Sequence, residues 1–216
     1  MKREVTLEEI SDGKLYGLND MVKADCFDCK GCSSCCQNMG ESIVLTPYDV
    51  YLLTQNLNCS FESLLDKHIE LNVVDGIILP NLKMQKENGN CSFLNEQGRC
   101  DIHPFRPSIC RLFPLGRIYE ENGFRYFLQT NECKNKNRGK IKVSKWIDTP
   151  QIKEHEAFIL RWHTLLKNFE KLLKENTDYE QTKKYNMLLL SLFYSAPYEK
   201  ADFYAQIEQR FKKFGC

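Results

Sequence analysis

Four cysteines recur at every third position, Cys26, Cys29, Cys32 and Cys35, and Cys36 follows directly. Neither the three-and-four repeat of a helix face nor the two-residue repeat of a strand selects cysteine in this way. Thiolates two residues apart converge on one centre, because a tight turn between them aims both sulfurs inward. Zinc knuckles and the Cys-x2-Cys-x2-Cys run around an iron–sulfur cluster are built on this arrangement. The segment reads as a metal-binding loop, kept pliant by Gly31, Ser33, Ser34 and Gly40.

A second group follows: Cys91, Cys100, Cys110 and Cys133, each beside a turn or chain reversal. A disulfide framework is the rival reading of the eleven cysteines. The N-terminus lacks the apolar stretch of a signal peptide, and the greasiest run, Met187 to Ala196, is short of the ~20 residues that span a bilayer. The chain is expected to be cytoplasmic and not membrane-bound. Thiols there stay reduced and, when clustered, serve metals or redox chemistry. An odd cysteine count also fits poorly with complete pairing.

The ordered motifs resemble those of the CxxCxxCC cysteine-cluster family (YkgJ-like proteins). They are Asp28-Cys29-x2-Cys32-x2-Cys35-Cys36, Leu45-Thr-Pro-x-Asp49, and Cys91-x-Phe-Leu-x3-Gly-x-Cys100-x-Ile102. Arg106-Pro107-x2-Cys110-Arg111-x-Phe-Pro114 and Cys133 leading to Trp146 complete the set. The resemblance runs from about residue 26 to about 160. It implies a zinc- or iron-chelating cytosolic protein with ligands drawn from Cys29, Cys32, Cys35, Cys36, Cys91, Cys100, Cys110 and Cys133. Some longer relatives are flagellin lysine methylases. Cys26 stands outside the signature, as a spare thiol or as part of a redistributed ligand set. Cys59 and Cys216 read as ordinary buried or free cysteines.

Eight matching cysteines exceed one tetrahedral ion. They imply two four-ligand centres, or one centre with several thiols close by, and in a shared assembly the two groups must approach one another. Zinc takes four closed ligands and stabilises loops. The repeated three-residue spacing favours an iron–sulfur cluster, with Zn2+ as the alternative. Adjacent Cys35 and Cys36 point different ways, so they suit different centres or a bridge between the groups. Arg106 and Arg111 either offset the negative charge of such a centre or pair with Asp101, Glu120 or Glu121. His103 reads as a turn residue; His68, His155 and His163 read as surface or seam residues on helices. No dinucleotide loop, P-loop, nucleophile elbow or His-Glu-x-x-His is present. Two functional readings follow. One is a metal-binding protein in a structural, sensory or electron-transfer role; the other is a cluster-dependent protein-modifying enzyme such as a lysine N-methylase-like methyltransferase. Enzymatic activity and a protein partner are left open.

These residues need elements to position them. A short helix is expected at Leu7 to Ile10, followed by a turn at Asp12-Gly13. Thr46-Pro47-Tyr48-Asp49 starts a helix with Val50, Leu53 and Leu57 on one face. Ser60 caps another with Leu64, Leu65 and Ile69 inward. Residues 73–130 have strand character, with hairpins at Cys91–Leu94 with Arg99–Ile102 and at Leu115–Tyr119 with Phe124–Thr130. Thr149-Pro150 opens a long helix whose Phe158, Trp162, Leu165, Phe169 and Leu172 form a seam. Thr177-Asp-Tyr-Glu180 is a capping box for a helix with Tyr185, Leu188, Leu189 and Leu192 inward. A last helix after Pro197 presents Phe203, Ile207 and Phe211.

Lysine plus arginine, 30, nearly balances aspartate plus glutamate, 29, so charge gives no support for nucleic acid or anionic membrane. The stretch from Lys134 to Lys142, with five basic residues, reads as a solvated loop. The expected fold class is α+β: a cysteine-rich loop and β-hairpin metal-binding part (1–143) packed against a helical part (144–216), together one compact unit. The first part is expected to bury too little apolar surface to hold itself without metal.

Overall fold

The computed structural model describes residues 6–27, 32–175, 178–200 and 202–215. Its helices and small sheets, 45% and 23% of the chain, make an α+β fold. The chain opens with α1 (Leu7–Ile10), β1 (Ser11–Tyr16) and β2 (Met21–Asp25), then passes through the cysteine loop to α2 (Pro47–Leu57) and α3 (Phe61–Lys67). The hairpin β3 (Ile69–Val74) and β4 (Ile77–Leu82) follows, then a long turn-rich segment, α4 (Ser108–Leu112), and the hairpin β5 (Leu115–Glu120) and β6 (Gly123–Gln129). Strand β7 (Gly139–Lys142) leads to α5 (Val143–Ile147), α6 (Ile152–Glu175), α7 (Tyr179–Leu190) and α8 (Phe203–Phe214).

Among the described residues three sheets form: β1-β6-β5, β2-β7 and β3-β4. The expected hairpin at Glu121-Asn122-Gly123 is present, with Leu115 opposite Leu128 and Glu120 opposite Gly123. The expected Cys91/Cys100 hairpin is looser than a ladder. Only the isolated bridges Met84–Cys91 and Leu94–Cys100 form there, because Asn95 closes a tight turn by accepting from Gln97 and Arg99 amides. Where a turn was expected at Asp12-Gly13, β1 runs through it. The basic stretch carries β7, paired with β2 through Val22 and Ile141. Pro80 sits within β4, and its carbonyl accepts from the Leu45 amide at 2.8 Å.

The largest apolar core joins α2, α3, β3 and β4 to α6, α7 and α8 through Leu53, Phe61, Ile69, Leu79, Trp162, Phe193 and Phe211. A smaller cluster lies under β2, β5, β6 and α5, around Val22, Leu115, Tyr126 and Ile147. Two seam positions differ from expectation. Leu172 is exposed and Leu173 is buried instead; Leu188 is exposed while Leu189 and Leu190 are buried. Each seam turns by about one residue near a helix end, where the helical period drifts against a strict heptad. Asp178 caps α7, accepting from the amides of Glu180 and Gln181; the expected cap residue Thr177 lies outside the described residues.

Candidate metal centre

The inner wall of the site is set by two helix starts. Thr46 opens α2 with a capping box, and its partner Asp49 is 1% exposed. One oxygen of the Asp49 carboxylate accepts from the Thr46 amide and hydroxyl, each at 2.8 Å. The other accepts from the Ser108 amide at 2.7 Å and hydroxyl at 2.6 Å. This buried carboxylate therefore ties the start of α2 to the start of α4, which carries Cys110. The sequence places Asp49 in a helix start and in the Leu45-Thr-Pro-x-Asp49 motif, but it does not reveal the tether to Ser108. Its place in the Thr-Pro-x-Asp motif was the available signal.

The loop that carries Cys35 and Cys36 is held against the Cys91 segment by backbone. The Cys91 amide donates to the Cys36 carbonyl at 2.7 Å, and the Asn38 amide donates to the Gly89 carbonyl at 2.8 Å. A bridge between Gln37 and Asn90 lies between these bonds. The two cysteine groups, distant in sequence, thus meet. Cys26, Cys32, Cys35, Cys36, Cys91, Cys100, Cys110 and Cys133 all line one cavity of about 670 Å³. None of the nine cysteines within the described residues is joined in a disulfide. Cys29 and Cys216 lie outside those residues. Cys59 lies in the link between α2 and α3 and does not line this cavity.

The thiols sense one another electrostatically. The Cys36 thiol is pushed up, first by its hydrogen bond with Cys35, then by burial and the neighbouring Cys35, Cys100 and Cys110. Burial raises Cys110 strongly, and Cys91, Cys35, Asp49 and Cys100 add to it. Burial also raises Cys91 and Cys100; at Cys100 the Arg106 guanidinium opposes it. Soft, reduced donors packed so that each resists ionising alone are suited to a thiophilic cation, whose charge offsets theirs. Zinc and iron both meet that description. Among the described residues, however, no group of three or more Cys, His, Asp or Glu side chains converges closely enough to hold an ion. The thiols surround the cavity without closing on one point.

The arginines divide their roles. Arg111 does not pair with Asp101, Glu120 or Glu121. It donates to the carbonyls of Arg106 and Asp148, at 3.3 and 3.0 Å, and to that of Pro104, and so clamps the loop ahead of α4. Arg106 faces the cavity beside Cys100 and contacts the His103 ring. His103 sits in a short 3-10 turn, as expected for a turn residue. His155, read as a surface or seam residue, is fully buried against Tyr48 and Phe158. His163 stacks on Tyr119 with ring centroids 3.5 Å apart, and both line the cavity.

No helix among the described residues is long and apolar enough to cross a membrane. No curated protein and no solved structure matches the chain. A family model does: CxxCxxCC, with the description "Putative zinc- or iron-chelating domain", over residues 28–140. That span holds the Cys35–Cys36 pair, the Asp49 tether and the thiols of Cys91, Cys100, Cys110 and Cys133, and it is more than half of the 216 residues. The chain belongs to the CxxCxxCC family of zinc- or iron-chelating domains.

Proposed function

We propose that this protein is a cytoplasmic metal-binding protein whose cavity holds an iron–sulfur cluster in a structural, sensory or electron-transfer role. The ligands are drawn from Cys29, Cys32, Cys35, Cys36, Cys91, Cys100, Cys110 and Cys133. One observation carries the reading: thiols from both sequence groups line a single space of about 670 Å³, far larger than one ion needs. Arg106 beside Cys100 suits a thiolate-rich, net-negative centre. Anaerobic purification followed by iron, zinc and acid-labile sulfide analysis tests it. Brown protein with iron and sulfide in similar amounts is expected. Stoichiometric zinc without sulfide overturns the choice of cluster.

A second reading, a cluster-dependent protein-modifying enzyme such as a lysine N-methylase-like methyltransferase, is favoured by one feature. The cavity extends past the thiols to Arg117, Tyr119, Trp162 and His163, and its volume lies in the range of small-molecule pockets. The Nε atoms of Arg106 and Arg117 are buried there with no hydrogen-bond partner. Equilibrium binding of S-adenosylmethionine to the metal-loaded protein separates the readings: saturable binding supports the enzyme, and none supports the first reading.

A further inference from the structure

Cys26 precedes the residues that the family model covers, and the family signature does not use it. Yet it is one of the more enclosed thiols of the chain, 4% exposed. Its Sγ lies 3.8 Å from that of Cys133, across 107 positions of sequence, and the two are not joined as a disulfide. The pairing of β2 with β7 brings them together. Cys26 directly follows β2, Cys133 lies on the approach to β7, and Asp25 stands opposite Gly139 where the strands meet. The two thiols differ in access. Cys133 is half-buried between exposed Glu132 and Lys134, whereas Cys26 is enclosed, and both residues line the cavity.

Two reduced thiols in contact, one reached by solvent and one enclosed, have the layout of an attacking and a resolving cysteine. A bonded length of ~2.05 Å leaves about 1.8 Å to close, shared between two side chains. Cys35 and Cys36 also meet, but as chain neighbours they would close a small, strained ring. In a reducing compartment a disulfide is transient and serves redox sensing or catalysis. We propose that Cys26 and Cys133 are a reversible redox-modification site whose co-substrate is a hydroperoxide. The Cys133 sulfur attacks one peroxide oxygen and the O–O bond breaks. Cys133 becomes a sulfenic acid, and the other oxygen leaves with the thiol proton, as water when the oxidant is hydrogen peroxide. The Cys26 sulfur then attacks the Cys133 sulfur. The S–S bond forms, the S–O bond breaks, and the hydroxyl leaves with the Cys26 proton as a second water. Two thiols give up two electrons and the peroxide takes them; an external dithiol reverses the change. The bond ties the end of β2 to the segment ahead of β7. It also takes Cys133 out of the donors open to a metal, a consequence that rests on the ligand set proposed above.

The test adds hydrogen peroxide stepwise to full-length wild type purified anaerobically. Remaining thiols are alkylated before intact-mass analysis and peptide mapping. The Cys26–Cys133 disulfide is expected as the first bond formed, with both thiols restored by dithiothreitol. Cys26→Ser is expected to stop at a Cys133 sulfenic acid, trapped by dimedone, and Cys133→Ser to leave Cys26 a thiol at the same dose. A first disulfide elsewhere overturns the proposal, as does wild type that loses its first two thiols with Cys26 intact. Wild type unfolded in urea controls for chance pairing: an equal share of this disulfide there contradicts a site built by the fold. Zinc, iron and sulfide are measured before and after oxidation, so the two readings fail separately. Untreated protein without metal sinks the metal reading, while the disulfide map alone decides the redox site. Metal kept in full by the oxidised protein removes Cys133 from the ligand set and leaves the redox site in place.

Discussion

Asp49 shows how one buried carboxylate can set the position of a distant thiol. Its four hydrogen bonds all come from Thr46 and Ser108, so Asp49→Ala strands several donors at once. Each stranded buried donor costs about 1–3 kcal/mol. Asp49→Ala is expected to lower the thermal midpoint and speed metal loss to a chelator, because α4 is then free to shift Cys110. Asp49→Ala with an unchanged midpoint would remove the tether from the account. His155 has the opposite character. Burial, and then the charges of Arg117 and Arg111, hold its pKa down at about 3. Its ring packs on Tyr48, its Nδ1 meets the Tyr204 hydroxyl at 3.4 Å, and its Nε2 has no partner. The folded pKa lies below the unfolded value of about 6.5, so the stability linked to neutral His155 is complete above that pH. It is lost as pH falls towards about 3. In acid titrations of unfolding free energy, His155→Phe is expected to flatten this limb; a limb unchanged in slope would contradict it.

The loop elements around the thiols depend on contacts that reach far along the chain, and this governed what could be read in advance. The helix starts at Thr46 and Ser60, the β5–β6 hairpin and the α6 seam are local signals, and each was legible. Strands β1, β2 and β7 were not. Ser-Asp-Gly-Lys-Leu-Tyr and Gly-Lys-Ile-Lys have little apolar alternation, and their stability comes from partners more than a hundred residues away. The same holds for the site. The cysteine positions were evident from spacing, but the Cys26–Cys133 contact was hidden because it depends on the β2–β7 pair. The Asn88-Gly89 turn is a local signal with a non-local use. Gly89 has φ +70°, and a Cβ there would meet the Asn38 side-chain oxygen at 2.2 Å. Gly89→Ala must therefore strain the backbone, by roughly 1–2 kcal/mol, and turn the Asn38 side chain away, at the point where the Gly89 carbonyl accepts from the Asn38 amide and ties the Cys35–Cys36 loop to the Cys91 segment. The expected result is faster metal release to a chelator with helical content intact. Release at the wild-type rate would show that the contact between these loops does not position the thiols.

Across the whole molecule, the apolar core does not follow the division into a metal-dependent first part and a self-sufficient helical part. Residues from Ile43 to Leu82 share one core with α6, α7 and α8, and Tyr194 donates to the Leu45 carbonyl at 2.9 Å. The region least held by packing is narrower than residues 1–143. It comprises the cysteine loop and the turn-rich segment from Met84 to Pro107, which is pinned to the main core at Cys91, Phe93 and Ile102 and where ordering costs ~1–2 kcal/mol per residue for the backbone alone. Ligand binding to the folded state stabilises what packing does not. Hydrogen exchange on metal-free protein is thus expected to show lost protection in these two segments, while β3, β4 and the helices from α6 to α8 keep theirs. Equal protection in both regions would mean that metal does not hold the loops. The central claim, that cysteines of both groups ligate the metal, is tested most directly by X-ray absorption at the metal edge of the anaerobic protein. The account predicts a shell dominated by sulfur at ~2.3 Å, depleted in Cys35→Ser and in Cys110→Ser alike. A shell of nitrogen and oxygen, or a sulfur shell untouched by either substitution, would contradict it.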